Sequence, residues 1–281
     1  MENEDPLVTA QWLKENISAP DVRVVDATWH PPFLNMDKTG RQVWSDAHIP
    51  GAVHFDIDAI KAGGTDLPHM LPDPVMFSSR VRKLGIGDGN RIVVYDQFNM
   101  FGAARVWWML RVMGHQDVKV LDGGLQAWID AGGEIEDLPP VSVERHFTAR
   151  KRSDLVKSVE QMIAASQDAT HTIIDARSHE RFTGEAPEPR EGLPSGHIPG
   201  SISVPSSDLK NDDGKMKSAD ELRSIFEKPD APTITTCGSG VSAAITALAL
   251  ARLGNWDVAI YDGSWTEWAS DSSRPIATGA A

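Results

Sequence analysis

The hexapeptide Cys237–Ser242, Cys-Gly-Ser-Gly-Val-Ser, contains the only cysteine of the 281-residue chain and joins a β-branched run, "TITT", to an Ala/Leu-rich run, "AAITALALARLG". Two chemistries fit it. Free cysteine is among the most buried residue types, so a structural thiol at a strand end is one reading. The other is a nucleophile presented on a turn at a helix N-terminus. Gly238 and Gly240 allow backbone conformations closed to other residues, so consecutive N–H groups can turn toward one point. The positive end of the following helix dipole faces the same place, which lowers a thiol pKa and stabilises an anion carried on sulfur. Ser239 and Ser242 add hydroxyls to that turn, and Val241 adds bulk, without adding charge.

The elements that must position this turn repeat along the chain. "VVDATW" at 24–29 returns as "IIDARS" at 173–178, and "AHIPGAVHFDID" at 47–58 returns as "GHIPGSISVPSSD" at 196–208. "RVMGHQDVKVLDGGLQAW" at 111–128 returns as "ARLGNWDVAIYDGSWTEW" at 251–268. Asp26 to Asp175 and His48 to His197 share one offset, and Asp122 to Asp262 is spaced nearly the same. Three collinear matches point to a tandem duplication of a domain of about 120–140 residues. The expected organisation is a first domain over 1–136, a Pro-containing, charged linker over 137–154 and a second domain over 155–281.

Each half alternates β-branched runs with helical patterns. "VRVVDA", "RIVVYD" and "VKVLDGG" read as strands of the first half, and "FGAARVWWMLRVMG" as a helix stopped by Gly114. "TIIDA", "TITTC" and "VAIYDGS" repeat the strands, with a helix expected from about Val241 to Leu253. The pattern predicts an α/β fold, two tandem domains that each form a mostly parallel sheet with helices on both faces. Sites in such sheets lie at the carboxyl ends of strands, which is where Cys237 falls. In the duplicated register Asp96 stands opposite Cys237. One half carries a thiol and the other a carboxylate on matching turns, which favours one reactive half.

Composition excludes several classes. Hydrophobic residues at 41% and charged residues at 24% are those of a globular protein. A single Cys rules out an intramolecular disulfide and fits a reducing compartment. The net charge of −13 argues against a nucleic-acid partner. The longest apolar run, near 243–251, is too short to cross a bilayer. The start, "MENEDPLVTAQW", lacks the basic-then-apolar layout of a signal peptide, so a cytoplasmic location is expected.

The paired "HIPG" segments, the "DG"-plus-Trp segments and "CGSGVS" resemble the tandem rhodanese-like sulfurtransferases, over nearly the whole chain. The loop, with "RFTGEAPEPREG" at 181–192 and "DLPHMLPD" at 66–73, is similar to the 3-mercaptopyruvate sulfurtransferase branch. The thiosulfate-using branch typically carries Arg after the cysteine, whereas Gly238 stands here and the loop is neutral. The resemblance implies that the Cys237 thiolate takes sulfur from 3-mercaptopyruvate, forming a persulfide and releasing pyruvate. Cyanide, a small thiol or thioredoxin then accepts the outer sulfur. It calls for no metal and no organic cofactor.

The resemblance also implies roles for residues outside the loop. Asp58, His69 and Ser239 would form a relay near the sulfur, with Asp orienting His and His polarising the hydroxyl. Arg181 and Arg190 would hold the substrate carboxylate and keto oxygen, for which the guanidinium fork is suited. Their plainer reading is a solvated pair neutralised by Glu185, Glu188 and Glu191. Arg181 faces Pro32 in the duplicated register and is specific to the second half, while Arg190 faces Arg41. Arg105 reads equally well as part of an ordinary helix. His48 and His197 occur in both halves and read as structural turn residues. Trp107, Trp108, Trp128, Trp265 and Trp268 read as packing anchors. A cysteine phosphatase or arsenate reductase also uses Cys in an anion-binding loop, but its closing Arg is replaced here by Ser242 and Ala243. A non-catalytic rhodanese-like binding module is disfavoured by the intact Cys237.

Overall fold

Two five-stranded sheets organise the computed structural model, which describes residues 5–280; the acidic start over 1–4 and Ala281 lie outside it. The first sheet contains β1 (Leu7–Val8), β2 (Val22–Asp26), β3 (Val53–His54), β4 (Arg91–Tyr95) and β5 (Val118–Leu121), ordered β1-β5-β4-β2-β3. The second contains β6 (Val156–Lys157), β7 (Thr172–Asp175), β8 (Ser201–Ser203), β9 (Thr233–Thr236) and β10 (Ala259–Tyr261), ordered β6-β10-β9-β7-β8. Every strand pairing in both is parallel, and the second order is the first repeated. Strands buried on both faces explain the β-branched runs that the sequence shows.

Helices connect the strands. In the first half they are α1 (Ala10–Asn16), α2 (Gly40–Asp46), α3 (Pro74–Lys83), α4 (Phe101–Val112) and α5 (Gly124–Asp130). In the second they are α6 (Val159–Asp168), α7 (His179–Thr183), α8 (Ala219–Ile225), α9 (Ala243–Arg252) and α10 (Ser264–Ala269). Caps match their sequences: Thr39, Ser158 and Ser218 each form a reciprocal capping box with the Gln or Glu three residues on. None of these helices is long and apolar enough to cross a membrane.

Two helices join the halves. α4 is buried from Gly102 to Val112 and α9 from Ala243 to Ala251, so both carry mostly apolar or small residues on every face, Arg105 and Arg111 of α4 excepted. They pack on each other, and their side chains belong to one hydrophobic cluster that runs through both halves. Since each follows the central strand of its own sheet, the turns at Asp96 and Cys237 are brought to the same interface. The segment from 137 to 152 has no regular structure, yet it is fastened to the first half. Phe147 is buried there, Thr148 bonds Asp88, and the N–H groups of Arg150 and Arg152 reach the carbonyls of Met113 and Val112.

Candidate active site

Cys237 follows β9 directly, at the carboxyl end of a strand flanked by β10 and β7. The start of α10 clamps its backbone. The Cys237 N–H donates to Ser264 Oγ (3.2 Å), and its carbonyl accepts from the Trp265 N–H (2.9 Å). The Gly238 carbonyl accepts from the N–H and the hydroxyl of Thr266. The following helix begins at Ala243, two residues later than expected from sequence, because Gly240 at φ +77° takes the chain out of helical space. A Cβ on Gly240 would lie 2.8 Å from the Asp262 carbonyl. Gly238 differs from the sequence reading. Its φ is not positive; a Cβ there would meet the guanidinium of Arg181 at 3.2 Å and that of Arg190 at 3.7 Å. Gly238 supplies space rather than a special conformation.

The first half shows what such a turn holds. Asp96 follows β4 as Cys237 follows β9, and its carboxylate accepts from the N–H groups of Phe98 (3.3 Å), Met100 (3.1 Å) and Ala103 (3.0 Å). The backbone there folds inward around the two carboxyl oxygens. Burial pushes the Asp96 carboxyl up to about 7, aided by the charge of Asp26 and opposed by those N–H bonds. In the second half, the N–H groups of Gly238 through Ser242 find no acceptor among the described residues.

The turn opens into a cleft of about 350 Å³ between the halves. Trp29, Phe33, Leu34 and Phe101 wall it from the first half, and Arg181, Arg190 and Lys210 line it with Cys237 from the second. No Asp or Glu among the described residues lines it. Arg181 is held by Glu188, whose carboxylate accepts from Arg181 Nε (3.1 Å) and Nη2 (2.5 Å) and from Arg177 Nη1 (2.8 Å). Arg177 is itself buried against Asp175 and stacked on Trp265. The neutralising partner expected among the nearby glutamates is therefore Glu188, and it orients Arg181 without withdrawing it from the cleft. Arg190 Nη2 donates to Ser239 Oγ at 3.3 Å. Burial lowers the Arg190 guanidinium; Cys237 supports its charge and Arg181 opposes it.

Asp58 and His69 meet, with Nδ1 2.9 Å from Oδ1. Trp29 Nε1 donates to the other Asp58 oxygen (2.8 Å), and its ring stands edge-on to His69 at 5.0 Å. Burial pushes Asp58 up, but the hydrogen bond and charge of His69, with Trp29 and Lys61, outweigh it and hold the carboxyl below its usual range. His69 is lowered by burial, against the pull of Asp58 and reinforced by the charges of Arg105 and Arg190. Its Nε2 is buried without a partner. No hydrogen bond links His69 to Ser239 among the described residues: the Ser239 oxygen accepts from Arg190, and His69 does not line the cleft. Ser242 and Val241 line it beside Ser239. His48 and His197 bond the carbonyls of Trp44 and Phe182 through Nδ1, as turn residues do.

Arg105 is the residue whose place the sequence did not disclose. Its side chain is fully buried, stacked on Trp108, with Nη1 on Asp262 Oδ1 (2.7 Å) and the Gly240 carbonyl (3.0 Å), and Nη2 on the His69 carbonyl. One cation thus joins α4, the cysteine turn and His69. Asp262 also accepts from the Leu71 N–H, and its counterpart Asp122 accepts from the Met216 N–H, so both repeated "DG" carboxylates reach into the opposite half. The available signal was a pair of arginines, Arg105 and Arg111, inside a helix otherwise built of apolar and small residues.

Two regions of the chain, 9–131 and 156–271, match the Rhodanese-like domain model. The chain belongs to the rhodanese-like sulfurtransferase family. It is 41% identical over 273 residues to a 3-mercaptopyruvate sulfurtransferase of Escherichia coli (strain K12), covering 96% of each chain. It is 39% identical to thiosulfate/3-mercaptopyruvate sulfurtransferase 1, mitochondrial, of Arabidopsis thaliana, covering 97% of this chain and 78% of that one. The crystal structure of Escherichia coli SseA, described as a 3-mercaptopyruvate sulfotransferase, superposes with a TM-score of 0.85 at 39% identity, covering 93% of this chain and 99% of that chain. The tandem α/β architecture expected from the repeats is that of this family.

Proposed function

We propose that this protein is a 3-mercaptopyruvate sulfurtransferase that works through a Cys237 persulfide. The observation that carries the donor assignment is the pair of guanidiniums over Gly238, beside the thiol, in a cleft with no lining carboxylate. The Cys237 thiolate attacks the sulfur of 3-mercaptopyruvate. The carbon–sulfur bond breaks, its electron pair leaves as the pyruvate enolate, and the thiol proton ends on the enolate carbon. Sulfur stays on Cys237 as an anion, facing amides of the turn as the Asp96 oxygens face the N–H groups of Phe98, Met100 and Ala103 in the first half. Arg190 and Arg181 hold the donor carboxylate and keto oxygen, and the Ser239 hydroxyl on Arg190 stands next to the reacting sulfur. Asp58 and His69 act as a positioning pair, keeping a neutral imidazole behind Trp29. The second half-reaction passes sulfur to cyanide, a small thiol or thioredoxin, in the reducing conditions of a cytoplasm. The joint donor name of the Arabidopsis relative favours thiosulfate as a second, poorer donor.

Arg190→Ala tests the donor assignment. Loss of one charged hydrogen bond, worth about 1.5–3 kcal/mol, lowers kcat/KM for mercaptopyruvate by at least about tenfold. An unchanged kcat/KM places the carboxylate elsewhere.

A further inference from the structure

The cleft is larger than the donor. A water-sized group takes about 30 Å³, so 350 Å³ accommodates roughly a dozen, against the seven heavy atoms of mercaptopyruvate. The surplus has a distinct chemistry. Arg181 and Arg190 stand over Gly238, whereas Lys210 reaches from the second half to the first, where its ammonium donates to the Asn99 carbonyl (2.8 Å) and lies 5.3 Å from the centre of the Phe101 ring. Phe33 and Leu34 continue that wall, and at 44% and 45% exposure they form the mouth. An ammonium has three donors, and this carbonyl takes one. Arg177 and Arg181 are paired with carboxylates, but no ion pair is formed by Lys210 among the described residues. Burial lowers the Lys210 ammonium, against the charge of Asp96, and an incoming anion would add to that support.

We propose that Lys210, with the apolar wall of Phe33, Leu34 and Phe101, is the acceptor subsite and selects a small organic thiol that carries its own anionic group. The proposal rests on the persulfide reading above. The acceptor thiolate attacks the outer sulfur of the Cys237 persulfide. A new sulfur–sulfur bond forms on the acceptor, the bond to Cys237 Sγ breaks, and its electron pair returns to the Cys237 thiolate. The acceptor leaves as its own persulfide, and Lys210 holds its carboxylate throughout.

Discharge of a preformed persulfide tests this by quenched-flow intact mass. The acceptors are 3-mercaptopropionate, neutral 2-mercaptoethanol and cationic cysteamine, each at matched thiolate concentration. Lys210→Met should slow discharge by 3-mercaptopropionate about tenfold relative to 2-mercaptoethanol, the scale of one charge-assisted contact. Lys210→Arg should keep most of the preference. The cysteamine rate should hold or rise. An unchanged ratio in Lys210→Met overturns the proposal, as does an equal slowing of all three thiols. A matching loss in the loading step would assign Lys210 to the donor carboxylate and also overturn it. Loading in parallel with sodium polysulfide keeps discharge measurable if mercaptopyruvate fails to load, so that failure would count against the donor reading alone.

Discussion

Replacing Arg105 with Met removes the cation that ties the two halves to the cysteine turn while keeping an apolar stem over Trp108. Asp262 has a side chain only 3% exposed, so its charge cannot turn to water. Stranding one member of a buried pair costs about 3–5 kcal/mol. The Gly240 and His69 carbonyls lose a donor as well, which pushes the cost toward the upper end. Urea unfolding followed by tryptophan fluorescence measures it, comparing the first transition because two domains need not unfold together. The double variant Arg105→Met/Asp262→Asn removes the stranded charge and should recover at least about 2 kcal/mol, a coupling that a double-mutant cycle isolates. Mercaptopyruvate loading should fall in the single variant, since Gly240 is part of the turn. A cost below about 1 kcal/mol, the value of an exposed pair, would refute the reasoning, as would additivity in the double variant.

Two pH dependences follow from buried groups. The Asp96 carboxyl is raised to about 7, so the folded state favours its protonated form; this contribution is full below about pH 4 and is lost as pH rises through 7. Stability should therefore decline by a few kcal/mol at most across that window, and Asp96→Asn should flatten the curve in urea midpoints taken from pH 5 to 8. His69 has the opposite sense: its imidazole is lowered by burial, so stability from the neutral form is full above the ordinary histidine value and is lost as pH falls. His69→Gln should remove an acid limb from mercaptopyruvate loading that lies below pH 6.5, and an unaltered pH profile would separate His69 from the reaction.

The parts of this molecule that were legible in sequence are those set by local pattern. The strands, the duplication and the place of Cys237 at a strand end follow from β-branched runs, repeated "HIPG" and "DG" segments and the register that sets Asp96 opposite the thiol. What was not legible depends on how the halves dock. Arg105 and Asp262 lie 157 positions apart and meet only because α4 packs on α9. The partner of Ser239 is Arg190 rather than His69, which no spacing announces. Gly238 is small because two arginines from another segment approach it, a reason invisible in the loop itself. Glu188 was one of three equivalent glutamates until burial singled it out.

The central claim is that sulfur travels on Cys237. Protein treated with 3-mercaptopyruvate, with no acceptor present, is desalted and its intact mass measured, with released pyruvate counted in the same sample. The account predicts a gain of one sulfur atom per chain, one pyruvate for each, removal of that mass by dithiothreitol or cyanide, and none of these in a folded Cys237→Ser variant. Sulfur transfer that persists in Cys237→Ser, or pyruvate release by the native protein without the added mass, would contradict it.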